Sequence, residues 1–153
     1  MKLDDPKSIR VKIMDFLSRR EHSKKEIYHK LSHRVSSLEL LEKEIEKLIQ
    51  EGLLDNRRFA EQYVHNRENR GLGPIRIEKE LRERGIERTI IGELLSEKNW
   101  IELAKKALLK KTRKSLPREK EQILKLKKFL NYRGFSYIDI EGAFKLVDGN
   151  SNL

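Results

Sequence analysis

A helix-ending pattern that occurs three times constrains the fold of this 153-residue chain more than any other feature. In each case an apolar residue is followed by three spacers, a glycine and a second apolar residue, as in Leu48–Leu53, Leu81–Ile86 and Leu130–Phe135. Glycine at this position accepts the left-handed backbone with which many helices end. Such ends are common in proteins, so the pattern gains weight from the apolar residues that recur at helical spacing between them.

The helical spacing divides the chain into three consecutive sets of three predicted helices. Two capping-box patterns, Ser23–Glu26 and Ser36–Glu39, begin helices of the first set. Asp55 is a predicted N-cap in the second set, and Pro74 suits a first helical position. No alternating β-branched run indicates a strand. We therefore predict an all-α fold of three tandem three-helix repeats, at residues 1–54, 55–97 and 98–153, the last with a short flexible tail.

The composition favours several thin cores and excludes some kinds of site. Only 37% of the residues are hydrophobic and 39% are charged, which suits amphipathic helices with solvated outer faces. The absence of cysteine excludes disulfides, thiolate metal ligands and thiol nucleophiles. The N-terminal residues lack the apolar run of a signal peptide, and no segment has the length of a membrane span. We expect a cytoplasmic protein that does not contact membranes.

The basic excess lies in the last third of the chain. The net charge is +10, and residues 98–153 hold 14 basic and 6 acidic side chains. A positive field of this kind attracts polyanions over about 8 Å in physiological salt. Nucleic acid or an acidic nucleoprotein is therefore the expected class of partner, and a basic protein that is merely soluble is the alternative.

Two sets of basic residues are candidate contacts for such a partner. In the first helix of the last set, four cations at positions i, i+4, i+7 and i+8 are predicted to share one helical face, opposite the apolar Trp100, Ala104 and Ala107: Lys106, Lys110, Arg113 and Lys114. Lys127, Lys128 and Arg133 extend this basic surface on the next helix. Contact with phosphate or an acidic partner and plain solubility both remain open for these residues.

The middle set supplies the second group of candidates. Its basic residues are nearly all arginine, whose planar fork suits phosphate and carboxylate, but acidic residues there equal basic ones in number. Pairing within the protein therefore competes with contact to a partner. The preferred contacts lie around the turn at Gly71 and Gly73: Arg67, Arg70, Arg76 and Lys79.

The remaining candidates indicate structure and not chemistry. The aromatic residues on apolar stripes are predicted to be core side chains: Phe59, Tyr63, Trp100, Phe129, Phe135 and Phe144. His29 and His33 have a spacing that metals use, but the glutamate that zinc proteases require is missing. No phosphate-binding loop and no set of nucleophile, base and orienting acid can be assembled. We predict a protein without catalytic activity, metal or cofactor.

The middle of the chain resembles the central repeat of the RecX proteins, bacterial regulators of the RecA recombinase. The resemblance is carried by Asp55, Phe59-Ala60, Gly73-Pro74-x-Arg76-Ile77-x-x-Glu80-Leu81 and Gly85-Ile86. Phe129-Leu130-x-x-Arg133-Gly134-Phe135 with Asp139-Ile140 is similar to the last repeat of that family. The likeness extends over residues 8–147. Asn56 departs from the pattern, because many members carry an acidic residue there.

This resemblance implies an elongated, curved, right-handed array of repeats that acts as a monomer in DNA recombination, repair and the SOS response. It further implies docking in the groove of a RecA filament on single-stranded DNA, with weaker binding to duplex DNA. Filament extension, recombinase activity and ATPase activity would then be inhibited. Two other functions stay open: a sequence-specific helix-turn-helix DNA-binding protein, and an all-helical scaffold without nucleic acid.

Overall fold

The computed structural model describes the backbone of residues 2–151 and the side chains of residues 2–149. Over this range the chain forms nine α-helices, which confirms the prediction of an all-α fold. Their bounds are α1 Pro6–Arg19, α2 Lys24–Leu31, α3 Leu38–Gln50, α4 Asn56–Asn69, α5 Pro74–Glu83, α6 Arg88–Ser96, α7 Trp100–Thr112, α8 Lys120–Tyr132 and α9 Tyr137–Ser151. Helix α9 extends into the predicted flexible tail, and residues 152 and 153 lie outside the described range.

The helix starts follow the local sequence with one correction. The capping box of Ser23 and Glu26 is formed in both directions, and the Asp55 carboxylate accepts a hydrogen bond from the Arg58 amide at 3.0 Å. The predicted box at Ser36 is wrong, because Ser37 is the N-cap of α3. The Ser36 amide instead donates to the carbonyl of Leu3, in the segment that forms an isolated β-bridge.

The predicted glycine helix ends are confirmed. Gly52, Gly85 and Gly134 have φ angles of +77°, +79° and +101°. After each glycine, the next amide donates to the carbonyl five residues earlier, as Leu53 does to Leu48 at 2.9 Å. This is the Schellman arrangement, which satisfies carbonyls that the helix leaves without partners. Each helix end is therefore encoded by a few neighbouring residues.

The chain divides into two compact units. The first unit combines the residues up to Tyr63 with Leu81–Ile91, and the second combines Val64–Glu80 with the residues from Gly92 onwards. Each has its own apolar core. The first-unit core contains Ile9, Ile13, Ile27, Leu31, Val35, Leu41, Ile45, Leu48 and Leu54. The second-unit core contains Ala104, Leu108, Leu130, Phe135, Ile140, Ala143 and Phe144. The repeat boundaries at 54/55 and 97/98 stay a prediction.

Two turns of the second unit are joined by their backbones. The Gly73 amide donates to the Arg133 carbonyl at 2.8 Å, and the Ile75 amide donates to the Gly134 carbonyl at 2.9 Å. A Cβ atom on Gly73 would lie 2.4 Å from the carbonyl carbon of Gly134, so only glycine permits this approach. We call this the glycine contact. It fixes the turn between α4 and α5 against the turn between α8 and α9.

We expect Gly73→Ala to destabilise the protein by about 1–3 kcal/mol, because the added methyl group forces packed backbones apart. Gly92→Ala is the matched control: it lies within α6 with open space around its Cα, and it should stabilise by about 0.5–1 kcal/mol through helix propensity. Urea unfolding of both variants measures the difference. Equal unfolding free energies for the two variants would contradict the glycine contact.

A buried histidine in the first unit is held in its neutral form. His22 is 2% exposed, with Nδ1 at 3.0 Å from the Arg20 carbonyl and Nε2 at 2.9 Å from the Lys30 ammonium. Because an ammonium only donates, Nε2 accepts and Nδ1 carries the proton that is donated to Arg20. Burial lowers the pKa of His22 below its ordinary value, and the charges of Arg20 and Lys30 act in the same direction.

Folding stability should therefore fall as the pH drops below about 6.5, because the unfolded chain takes up a proton that folded His22 resists. Above that pH this contribution to stability is complete. Denaturant unfolding at a series of pH values measures it, and His22→Asn serves as the control that lacks the titrating group. An identical pH slope in the two proteins would show that His22 is not the group responsible.

Candidate nucleic-acid interface

A basic cleft of about 590 Å³ lies in the second unit, between the end of α4 and the helices α7 and α8. We call this cavity the basic cleft, because five of its lining residues are cationic: Arg70, Lys106, Lys110, Lys111 and Arg133. Glu68, the carboxylate among the lining residues, is held by Lys98 at 3.1 Å. The balance of charge in the cleft is strongly positive, which favours an anionic ligand.

The floor of the basic cleft is the half-buried ring of Phe129. The Lys111 ammonium lies 5.1 Å from the ring centroid, and the Arg133 guanidinium carbon lies 4.9 Å from it. Both cations are therefore placed where the aromatic ring attracts them. Leu103 and Ala107 complete the apolar part of the lining. The cleft thus combines an apolar floor with charged walls.

Arg133 connects two walls of the basic cleft. Its Nη1 donates to the carbonyl of Arg70 at 3.0 Å, immediately after the end of α4. Helix C-termini carry carbonyl groups without helical partners and attract cations, so this position suits a guanidinium. A guanidinium has five N–H donors, so this one bond leaves other donors for a ligand. The Arg133 guanidinium can therefore support the cleft and bind an anion at the same time.

The structure brings together only part of the predicted contact set. Of the predicted residues, Arg70, Lys106, Lys110 and Arg133 line the basic cleft.

The other predicted contacts are paired within the protein or lie elsewhere. Arg67 makes a bidentate ion pair with Glu80, at 2.9 and 2.8 Å. Arg76 also lies 3.7 Å from the Glu80 carboxylate. The Lys127 ammonium contacts both oxygens of Glu141, at 2.9 and 3.1 Å. Lys79 and Lys128 are exposed and lie outside the cleft lining.

The predicted four-cation face of α7 is wrong for two of its members. Helix α7 ends at Thr112, and Arg113 and Lys114 have left-handed φ angles of 54° and 69°. The Lys114 amide donates to the Leu109 carbonyl at 2.9 Å, so the chain turns away here as it does at the glycine ends. Only Lys106 and Lys110 remain on the helical face. The sequence did not indicate a helix end here, because arginine occupies the left-handed position that glycine takes at the other helix ends.

Sequence reasoning missed Lys111 and misplaced Ala107. Lys111 is one residue after Lys110, about 100° away around the helix, so spacing alone separates the two. Helix α8 supplies the ring of Phe129, which draws Lys111 into the same cleft. Ala107 was predicted to lie opposite the cations, yet it lines the cleft with them. The position of the partner helix decides both cases, and no local sequence signal carries it.

The described residues contain no group of three or more side chains suited to hold a metal ion. Helix α2 ends at Leu31, so His29 and His33 do not share one helical face. Within the described range, no helix is long and apolar enough to cross a membrane.

The second helical set matches the family model described as RecX, second three-helix domain, over residues 55–95. The regulatory protein RecX of Pseudomonas putida KT2440 is 40% identical over 135 residues, which is 87% of this chain and 86% of that protein. The chain belongs to the RecX family. Regulatory protein RecX of Halorhodospira halophila is 34% identical over 143 residues, which is 92% of this chain and 89% of that protein.

Two solved RecX structures share the fold of this chain. The crystal structure of RecX from Lactobacillus salivarius superimposes with a TM-score of 0.78 at 24% identity, covering 94% of this chain and 97% of that one. A second crystal structure, of regulatory protein RecX, gives a TM-score of 0.74 at 28% identity, covering 89% of this chain and 70% of that one. The fold is therefore the all-helical repeat fold of RecX, and the relatives are named as regulatory proteins.

We expect Arg113→Gly to stabilise the protein by about 1 kcal/mol, because glycine adopts the left-handed backbone without the cost that arginine incurs there. Thr112→Gly is the control, one residue earlier and still helical, and it should destabilise by up to about 1 kcal/mol. Thermal unfolding separates the two effects. Destabilisation by both substitutions would place the end of α7 after Arg113.

Proposed function

We propose that this protein is a non-enzymatic regulator that binds a RecA filament on single-stranded DNA and inhibits its recombinase and ATPase activities. The observation that carries the proposal is the basic cleft, found in a chain of the RecX family. The protein would act in the cytoplasm as a monomer.

The cleft offers the two kinds of cation that phosphate groups bind. Arg70 and Arg133 present planar guanidinium groups, which can hold two phosphate oxygens at once. Lys106 and Lys110 on α7 are exposed, so their ammonium groups can follow a flexible backbone. Each phosphate that a cation neutralises releases bound counterions, which makes such binding tight at low salt. The expected ligand is therefore the sugar-phosphate backbone.

The other predicted contacts take secondary roles in this proposal. Arg67 and Arg76 are engaged by Glu80, and Lys127 is engaged by Glu141, so these three side chains hold the second unit together. The exposed cations outside the cleft are available for contacts with the recombinase or with more distant phosphates: Lys79, Arg113, Lys114 and Lys128. Binding would then spread over more than one filament subunit and obstruct the addition of further subunits.

The helix-turn-helix alternative fits the geometry less well. A sequence-specific reader needs one recognition helix whose side chains enter the major groove, usually in a two-fold dimer. The cations of the cleft come instead from three places in the chain: the end of α4, helix α7 and the end of α8. This arrangement suits a backbone ligand that lies in a concave surface. It provides no single helix for reading base edges.

Titration of the protein into RecA on single-stranded DNA should lower the rate of ATP hydrolysis. The double variant Lys106→Glu/Lys110→Glu should require roughly tenfold more protein for the same inhibition, because two phosphate contacts become repulsive. The slope of log affinity against log salt should also fall in magnitude by about 1.4, which corresponds to two lost phosphate contacts on a single strand.

The matched control is Arg113→Glu/Lys114→Glu, which makes the same change in net charge just beyond the end of α7. It should weaken inhibition clearly less than the cleft variant does, because Arg113 and Lys114 lie outside the cleft lining. Equal losses in both double variants would show that net charge and not the cleft determines binding. Undiminished inhibition by the cleft variant would contradict the proposed site.

Two other results would favour the alternative functions. Inhibition that does not depend on salt or DNA would favour a protein scaffold, and a footprint on one duplex sequence would favour a transcription factor.

A further inference from the structure

We propose that Tyr132 and Arg76 form a stacking platform that holds an unpaired nucleobase of the single strand whose phosphates occupy the basic cleft. This inference rests on the proposed function and adds to it a contact that would select single-stranded over duplex nucleic acid. The platform lies wholly within the second unit. It uses a tyrosine that the core of that unit does not contain.

Tyr132 is an aromatic side chain turned to solvent. It is the last residue of α8 and is 78% exposed, whereas Phe129 one turn earlier is half-buried beside the core. The guanidinium carbon of Arg76 lies 5.7 Å from the centroid of the Tyr132 ring, within the range of a cation–π contact. With so much of the side chain exposed, the ring can also accept a flat ligand. Every nucleobase has an aromatic face, so such a site tolerates any base.

The platform is held in place by the glycine contact. A Cβ atom on Gly134 would lie 2.4 Å from the Cβ atom of Arg76, so the backbone of Arg76 is pressed against the turn that follows Tyr132. The hydrogen bond from the Ile75 amide to the Gly134 carbonyl fixes the same approach at 2.9 Å. Glu80 further restrains the Arg76 guanidinium, with Nε at 3.7 Å from the carboxylate. The ring and the cation therefore meet before any ligand arrives, which lowers the entropic cost of binding.

The platform adjoins the basic cleft through one peptide bond. Arg133 lines the cleft and directly follows Tyr132, so their Cα atoms are about 3.8 Å apart. A strand whose phosphate binds Arg133 therefore has its bases within reach of Tyr132. In a duplex those bases are stacked and paired inside the helix, and no base is free to stack on the protein. Charge complementarity in the cleft identifies the occupant of the platform as the same nucleic-acid strand.

Base removal separates stacking from phosphate binding. Fluorescence anisotropy at one salt concentration would compare a thymidine oligonucleotide with an oligonucleotide of equal length made of abasic residues, which keeps every phosphate. The full-length protein should bind the thymidine strand roughly tenfold more tightly, as one stacked base allows. Tyr132→Ala should bring that ratio close to one, and Tyr132→Phe should preserve it.

Tyr137→Ala is the matched control. Tyr137 is 77% exposed, but it begins α9, whose first turn carries the carboxylate of Asp139 and so repels phosphate. This variant should keep the tenfold ratio. Lys106→Glu/Lys110→Glu should weaken binding to both oligonucleotides by the same factor and leave the ratio unchanged, because it acts on phosphate alone.

Three results would overturn the platform. The first is a ratio near one for the unsubstituted protein, and the second is an unchanged ratio in Tyr132→Ala. An unchanged ratio in that variant together with weaker inhibition of the RecA filament would assign the ring to a protein surface. The third is binding to neither oligonucleotide. The ATP hydrolysis assay would then decide separately whether the proposed function survives.

Discussion

The backbone contact between Gly73 and Gly134 is the constraint on which the geometry of the candidate site depends. Its two hydrogen bonds join the end of the α4–α5 turn to the end of α8, and no side chain fits between them. The contact places Arg133 beside the last turn of α4, where the Arg70 carbonyl accepts from it. It also places Arg76 against the turn after Tyr132. One close approach of two chain segments therefore positions both the basic cleft and the stacking platform.

Electrostatics then decides which cations are available. Arg67 and Arg70 lie three residues apart, yet their surroundings differ completely. Arg67 is half-buried, and its guanidinium donates to both oxygens of Glu80. A ligand that drew Arg67 away would leave the Glu80 carboxylate without this partner, which is unfavourable. Arg70 is exposed and lines the basic cleft. The number of arginines in the middle of the chain therefore overstates the surface that is offered to a polyanion.

A cleft of this kind suits recognition of a backbone and does not itself suggest catalysis. Lys111 and Arg133 contact the ring of Phe129, and Arg133 also contacts the end of α4. These contacts hold charge in place without activating a nucleophile. The relatives that share this fold are named regulatory proteins, which agrees with a role in binding. A stacking residue beside phosphate-binding cations would add a preference for single strands without reading sequence. That combination would fit the proposed binding to a RecA filament on single-stranded DNA.

The sequence by itself determined the nine helices of the described range and several of their ends, because caps and glycine stops act within five or six residues. The helix starts at Ser23 and Asp55 are capped by hydrogen bonds between the cap residues and backbone amides of the first turn. After Gly85, the Ile86 amide donates to the Leu81 carbonyl, so this helix end needs no distant contact either. The resemblance in the middle of the chain also identified the family. Local reasoning failed where a distant segment competed, as at Ser36, whose amide is taken by Leu3.

Only the tertiary structure decided which charges meet. Lys111 lines the cleft because α8 places the ring of Phe129 next to it. Arg67 is not available to a ligand in the same way, because α5 places the carboxylate of Glu80 next to it. Helical spacing describes the faces of one helix, but the pairing of a long charged side chain depends on what the neighbouring helix presents within about 4 Å. That information is absent from any single segment. It appears only when the chain has folded.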